Sequence, residues 1–108
     1  MQKMKTKLIS LLTICRKAGR MVMGFDPVKD ALIGNKAKVI LIAADLSPKT
    51  EKEVIFYAAK AGVQVLKTDC TQEDFHFGIG KKVGVIAICD DGFSLKAQQL
   101  AGEVRSEN

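Results

Sequence analysis

The chain has no Trp, and aromatic residues make up only 6 % of its 108 residues. That scarcity excludes a platform that stacks many bases on exposed rings. No apolar run approaches the roughly 18 residues that span a bilayer. The longest, Val39 to Ala44 and Val83 to Cys89, suit buried strands. The N-terminus is basic, but Arg16, Lys17 and Arg20 follow its apolar stretch and no small-residue cleavage site stands out. No signal peptide is read there, and the expected location is the cytosol. Three cysteines, Cys15, Cys70 and Cys89, are scattered, odd in number and outside any Cys-x-x-Cys pair. They offer neither a disulfide framework nor a zinc site. Cys15 and Cys89 read as small buried hydrophobes.

What is present is positive charge, unevenly placed. The net charge is +5. Residues 1–38 hold nine Lys/Arg against two Asp, a net +7, and residues 39–108 hold eight Lys/Arg against ten Asp/Glu, a net −2. A one-sided basic surface suits a polyanion, because cations that neutralise phosphates release condensed counterions. The bland alternative is a solvated basic helix.

Length and composition suit one domain with one core. Residues 4–18 read as a helix, since Leu8, Leu11, Leu12, Cys15 and Ala18 recur at helical spacing and Gly19 can stop it. Residues 20–23 read as a short strand or an extended link. Gly24-Phe25-Asp26-Pro27 opens a second helix, with Asp26 as the expected cap and Pro27 at the first helical position, ending near Ile33. Residues 38–44 form a buried strand. Ser47 and Pro48 repeat the opening device for a helix over 48–61 that stops at Gly62. Residues 63–67 form a strand, Thr71 caps a short helix, 78–82 form a loop, 83–89 a strand and 93–101 the last helix. The expected domain covers 1–102, with a fraying polar tail over 103–108. Strands alternating with helices imply an α/β sandwich, and strands 39–44 and 63–67 should be parallel neighbours. Continuous apolar strands call for helices on both sheet faces.

No catalytic constellation can be assembled. The only His, His76, sits between Phe75 and Phe77, a setting more often structural than catalytic. Asp90-Asp91 is better placed to cap a helix than to hold a metal. Gly78-Ile79-Gly80-Lys81-Lys82 resembles a phosphate loop only superficially: Phe75 stands where the first Gly is needed, and Lys82 replaces the hydroxyl that would hold magnesium. The loop reads better as a contact loop, its glycines allowing close approach and its lysines adding charge, with a simple turn carrying solvated lysines as the alternative. The opening of the second helix is the other candidate, because a helix N-terminus presents unpaired N–H groups and partial positive charge. Gly24 admits a nucleic-acid backbone, and Lys17, Arg20 and Lys29 lie nearby in sequence. An ordinary capped helix is the alternative, with Asp26 occupying those donors.

Several stretches together resemble the kink-turn-binding ribosomal protein superfamily of archaeal and eukaryotic large-subunit proteins, and within it the bacterial YlxQ-like branch. They are Arg16-Lys17-Ala18-Gly19-Arg20 with Gly24 following, residues 37–45, Ser47 to Lys52, Gly78-Ile79-Gly80-Lys81, and Asp91-Gly92-Phe93. The resemblance covers roughly residues 5–100 and rests on their shared order. It implies a single-domain three-layer α/β/α sandwich with a mixed central sheet of about four strands. It also implies binding without catalysis, cofactor or metal to a sharply kinked internal loop of RNA. In such proteins the second-helix opening reads guanine edges, and the loop before the last strand covers an extruded nucleotide. The stronger RNA binders carry Gly-x-Asn-Glu-x-x-Lys at that opening. Here Gly24 matches, Asp26 stands for Asn, Pro27 for Glu and Asp30 for Lys, with Lys29 one position earlier.

The expected function is therefore structured-RNA binding, in association with the ribosome. Lys17, Arg20, Gly24, Phe25, Asp26, Lys29 and Lys36 would form one side of a cleft, and Ile79, Gly80, Lys81 and Lys82 the other. Phe25 or Ile79 would pack on an exposed base, and Asp26 would accept from a guanine edge. A protein-interaction adaptor on the same fold is the rival, favoured by Asp26, Pro27 and Asp30. A small-molecule enzyme is a second rival, and it lacks a candidate pair of titratable groups.

Overall fold

Val39-Ile40-Leu41-Ile42 and Val85-Ile86-Ala87-Ile88 are apolar at every position, and every one of those residues is buried. A strand with no polar face must be covered on both sides. The computed structural model, which describes the backbone of residues 2–106 and the side chains of 5–100, shows how this is done. The elements run α1 (Gln2–Lys17), β1 (Met21–Met23), α2 (Phe25–Ile33), β2 (Val39–Ile42), α3 (Pro48–Ala61), β3 (Gln64–Lys67), α4 (Gln72–Ile79), β4 (Val85–Ile88) and α5 (Asp91–Ser106).

The sheet order is β1-β4-β2-β3, with β2 and β3 parallel and β4 antiparallel to both β1 and β2. Alternation along each strand divides the core. Val39, Leu41, Ile86 and Ile88 face one way, onto Leu8, Leu12 and Cys15 of α1, Phe75 of α4 and Ala97 of α5. Ile40, Ile42, Val85 and Ala87 face the other way, onto Val28 and Leu32 of α2 and Val54 and Ala58 of α3. The result is the expected α/β/α sandwich with a mixed four-stranded sheet. Each fully buried Val, Leu, Ile or Phe contributes about 1.5–3 kcal/mol. Edge strand β3 carries exposed Gln64 and Lys67. Charge on an edge discourages pairing with another chain.

Three expectations are corrected. Asp26 does not cap α2: the N-cap is Gly24, at φ 99 and ψ 157, no side chain caps the helix, and Asp26 and Pro27 are its second and third residues. Gly24 absorbs a backbone angle that a capping Asp in extended conformation would not reach. Gly78 and Ile79 are not loop but the last turn of α4, which ends at Gly80 in the left-handed region (φ 83). A Cβ at Gly78 would lie 2.4 Å from Ile9 Cγ2, so that glycine serves close helix packing rather than a turn. Finally, α5 starts at Asp91, where the Asp90 carboxylate accepts from the Phe93 N–H at 2.9 Å, and it continues to Ser106 through part of the expected tail. Residues 107–108 of that tail lie outside the described residues.

Candidate nucleic-acid interface

The sheet register sorts the candidate residues by end. Met23 pairs with Ile86, Ile42 with Val85, and Ile42 with Lys67, so β1, β2 and β3 all finish where β4 begins. At this upper end the Gly24 N–H donates to the Val85 carbonyl at 2.9 Å, and the Gly24 carbonyl accepts from the Val28 N–H at 3.1 Å. The opening of α2 is thereby fastened beside the start of β4. Pro27 has no N–H and Val28 is bonded, which leaves the N–H groups of Phe25 and Asp26 uncapped by any side chain. The other three helices whose start is described with side chains are closed. Ser47 Oγ accepts from the Thr50 N–H at 3.3 Å, Thr71 and Asp74 form a reciprocal capping box, and Asp90 caps α5.

The segment Gly80 to Gly84 returns from α4 to the same end. The Arg16 guanidinium donates to the Ile79 carbonyl and so holds the last turn of α4 against α1. Gly80 sits beside that guanidinium, which a Cβ there would approach to 3.2 Å. Lys82 lies 3.8 Å from Glu73, in the first turn of α4, and the Gly84 carbonyl accepts from the Ala43 N–H at 2.9 Å. Lys81 and Lys82 are exposed. The Lys82–Glu73 pair is exposed on both sides and worth little. Lys82 and the α2 opening therefore share one end of the sheet, while Gly80 remains beside α1.

Other candidates fall elsewhere. Ile79 is 4 % exposed and belongs to the core, so its side chain does not reach a base. Phe25 is half-buried against the α2–α3 layer. Lys29 turns toward α3, with its ammonium 4.9 Å from the Tyr57 ring centre. Contact with Tyr57 holds its pKa above the usual lysine value. Arg20 and Lys36 do not join the α2 opening. Arg20 precedes β1, whose Met21 pairs with Ile88, and Lys36 follows α2, so both lie at the lower end. Lys17 ends α1 just before Arg20, whose N–H donates to the Cys15 carbonyl at 3.0 Å.

Two contributors went unread in the sequence. Asp45 Oδ1 accepts from the Gln72 N–H at 3.0 Å and ties the loop after β2 to α4. Leu46 packs over Gly84, where a Cβ would stand 2.5 Å from Leu46 Cδ1. No local spacing announces either contact, since the partners are 27 and 38 residues apart. Cys15 and Cys70 are fully buried, which pushes both thiols up to about 11, whereas Cys89 is half-buried. His76 is exposed and rests edge-on against Phe77 at 5.4 Å. Among the described residues no group of three His, Cys, Asp or Glu is placed to hold a metal ion, and no helix is long and apolar enough to cross a membrane.

Comparison with known proteins follows the same lines. Large ribosomal subunit protein eL30B of Schizosaccharomyces pombe is 34 % identical over 87 residues, covering 79 % of this chain and 74 % of that protein. RNA-binding protein YlxQ of Enterococcus faecium is 27 % identical over 100 residues, covering 89 % and 92 %. The Giardia lamblia 15.5kD RNA binding protein superposes with a TM-score of 0.76 at 16 % identity, covering 96 % of this chain and 89 % of that one, a likeness of fold. Residues 6–97 match the Ribosomal protein L7Ae/L30e/S12e/Gadd45 family, and the chain belongs to it.

Proposed function

We propose that this protein binds structured RNA at a kinked internal loop, through the α2 opening and the segment Lys81-Lys82, in association with the ribosome in the cytoplasm. One observation supports the reading: the α2 opening has no side-chain cap, and its Gly24 is hydrogen-bonded to Val85, three residues after the exposed Lys82. Helix N–H groups and ammonium groups are the donors that a folded RNA backbone accepts from. Membership in a ribosomal-protein family, and a relative named as an RNA-binding protein, support the same class of partner. Phe25 and Asp26 present their N–H groups to phosphate. Asp26 accepts from a guanine edge. Lys81 and Lys82 neutralise the backbone that leaves the kink, and Gly80 turns the chain toward them. No catalytic step, metal or cofactor enters the proposal.

The test is a titration against a kink-turn RNA and a fully paired duplex of equal length, at low and moderate salt. Tighter binding of the kinked RNA at both salts is the expected result. Equal, salt-sensitive binding of the two would reduce the function to general RNA affinity. Absence of binding to either would shift the assignment to a protein adaptor on the same fold.

A further inference from the structure

The lower end of the sheet collects the cations that the α2 opening leaves out. β4 lies between β1 and β2. On one side of its end the Arg20 carbonyl accepts from the Cys89 N–H at 2.8 Å, and on the other the Lys38 N–H donates to the Ile88 carbonyl at 2.8 Å. Arg20 and Lys38 therefore flank the same strand end. Lys36 stands two residues before Lys38, and both lysines act electrostatically on Cys89, drawing its thiol back down while burial raises it. Lys17 joins them from the end of α1. All four are exposed, and Lys17, Arg20 and Lys36 form no ion pair with a described residue.

Three carboxylates share this end against the four cations: Asp30, exposed in the last turn of α2, and Asp90 and Asp91 after β4. Asp90 is engaged as the α5 cap. Asp91 approaches Lys38 only to 3.9 Å, with its side chain 90 % exposed. Such a pair exchanges readily for a better acceptor. A cation beside a helix C-terminus offsets the dipole, which accounts for Lys17. It does not account for Arg20 and Lys38 on either side of β4. Along extended β1, Arg20 and Gly24 stand roughly 13 Å apart. That exceeds the Debye length of about 8 Å at physiological salt, so the two ends act as separate electrostatic sites.

We propose that Arg20, Lys36 and Lys38, with Lys17 beside them, form a second RNA surface that takes the phosphate backbone of a segment distinct from the one at the α2 opening. One protein then bridges two RNA segments. This surface does not depend on kink recognition, because phosphate contacts carry no sequence or loop requirement.

The experiment uses the full chain and two variants, R20Q/K36Q/K38Q and K81A/K82A, with unchanged melting as the folding control. Immobilised kink-turn RNA is loaded with protein and then offered a labelled plain duplex. Wild type captures the duplex. The triple variant keeps kink-turn binding within about twofold and loses duplex affinity by at least roughly tenfold. Its duplex salt slope falls by about 0.9 for each phosphate contact removed. Should wild type fail to bind kink-turn RNA, the duplex alone still decides: loss in the triple variant with retention in K81A/K82A supports the second surface, and the reverse overturns it. Duplex binding by the triple variant equal to wild type overturns it. Equal displacement of duplex by polyglutamate of matched charge also overturns it, in favour of an acidic protein partner.

Discussion

Two helices of this protein open on similar sequence and are built differently. α2 follows Gly24 with Phe25-Asp26-Pro27, and α3 follows Asp45-Leu46 with Ser47-Pro48. Each opening offers a polar side chain and then a proline. At α3 the pattern acts as it reads. Ser47 sits in extended backbone, its Oγ accepts from the Thr50 N–H, and Pro48 takes the first helical position. At α2 the helix begins one residue before the carboxylate. Gly24, with no side chain to offer, occupies the capping position, and Asp26 is already inside the first turn. One N-terminus is closed by its own chain, and the other leaves two N–H groups for an outside acceptor. A capping motif thus depends on which residue the backbone places at the cap, not on the motif's letters.

The strongest way to break the contrast is at Gly24. Its φ of 99 and ψ of 157 lie where essentially only glycine is found, although a Cβ there would meet nothing nearer than Pro27 Cδ at 3.7 Å. Gly24→Ala is expected to lower stability by about 1–3 kcal/mol, through backbone strain rather than a clash, and to weaken RNA binding as well. Urea unfolding and the RNA titration measure the two effects separately. Ser47→Ala is the control, expected to lose about 1 kcal/mol of stability and to leave RNA affinity untouched. If both variants weakened RNA binding alike, the α2 opening would have no special role.

Asp26→Asn sharpens the comparison from the other direction. The carboxylate can only accept, and it opposes an incoming phosphate, whereas an amide both donates and accepts. Because Asp26 caps nothing, the variant should lose only the first-turn dipole contribution, about 0.3–1 kcal/mol. Kink-turn affinity should rise by about fivefold, or about 1 kcal/mol. A fall in affinity would show that the hydrogen bond Asp26 accepts from the guanine edge needs the charge of the carboxylate.

Acid separates the closed opening of α4 from the open one of α2. The Thr71 N–H, with the Lys5 ammonium at 3.3 Å, holds the Asp74 carboxyl below its usual value of 3.8. A carboxylate with a lowered folded pKa stabilises above its unfolded value, and that contribution is lost as pH falls through the folded one. As pH falls through the usual carboxyl range and below it, amide protection relative to the intrinsic exchange rate should therefore drop in the first turn of α4 more than in that of α2, which has no side-chain cap to protonate.

Much of the sandwich was legible because its signals are local. Val39 to Ile42 and Val85 to Ile88 announce buried strands by composition, and the Ser47-Pro48 to Gly62 frame gave the bounds of α3 to the residue. The residues themselves single out the α2 opening and the loop before β4, the resemblance implies that the two act together, and Lys82 lies at the same end of the sheet as that opening. What stayed hidden depends on neighbours distant in sequence. Gly78 looks like a hinge and is instead a gap for Ile9. Ile79, flanked by glycines, looks like a loop tip and is core. Arg20 and Gly24 are four residues apart in sequence, yet a three-residue strand carries them to opposite ends of the sheet. Charge counted along the chain could not divide those ends, since the division arises only when β4 inserts between β1 and β2.

The smallest expected effect comes from the two prolines, and it isolates the donors themselves. Pro48 is the first residue of α3 and Pro27 the third of α2, both within the turn whose N–H groups have no intrahelical partner. Neither ring removes a helical hydrogen bond, so each acts mainly by restricting the unfolded chain. Pro27→Ala and Pro48→Ala should each lose about 0.4–1 kcal/mol of stability, and by similar amounts. Their RNA affinities should differ. Pro27→Ala adds a third N–H to the open end of α2, beside those of Phe25 and Asp26, and binding should hold or tighten. Pro48→Ala adds one to an end already closed by Ser47, and binding should not move. If the two variants shifted affinity together, the effect would belong to stability alone, and the uncapped N–H groups of α2 would have to be removed from the site.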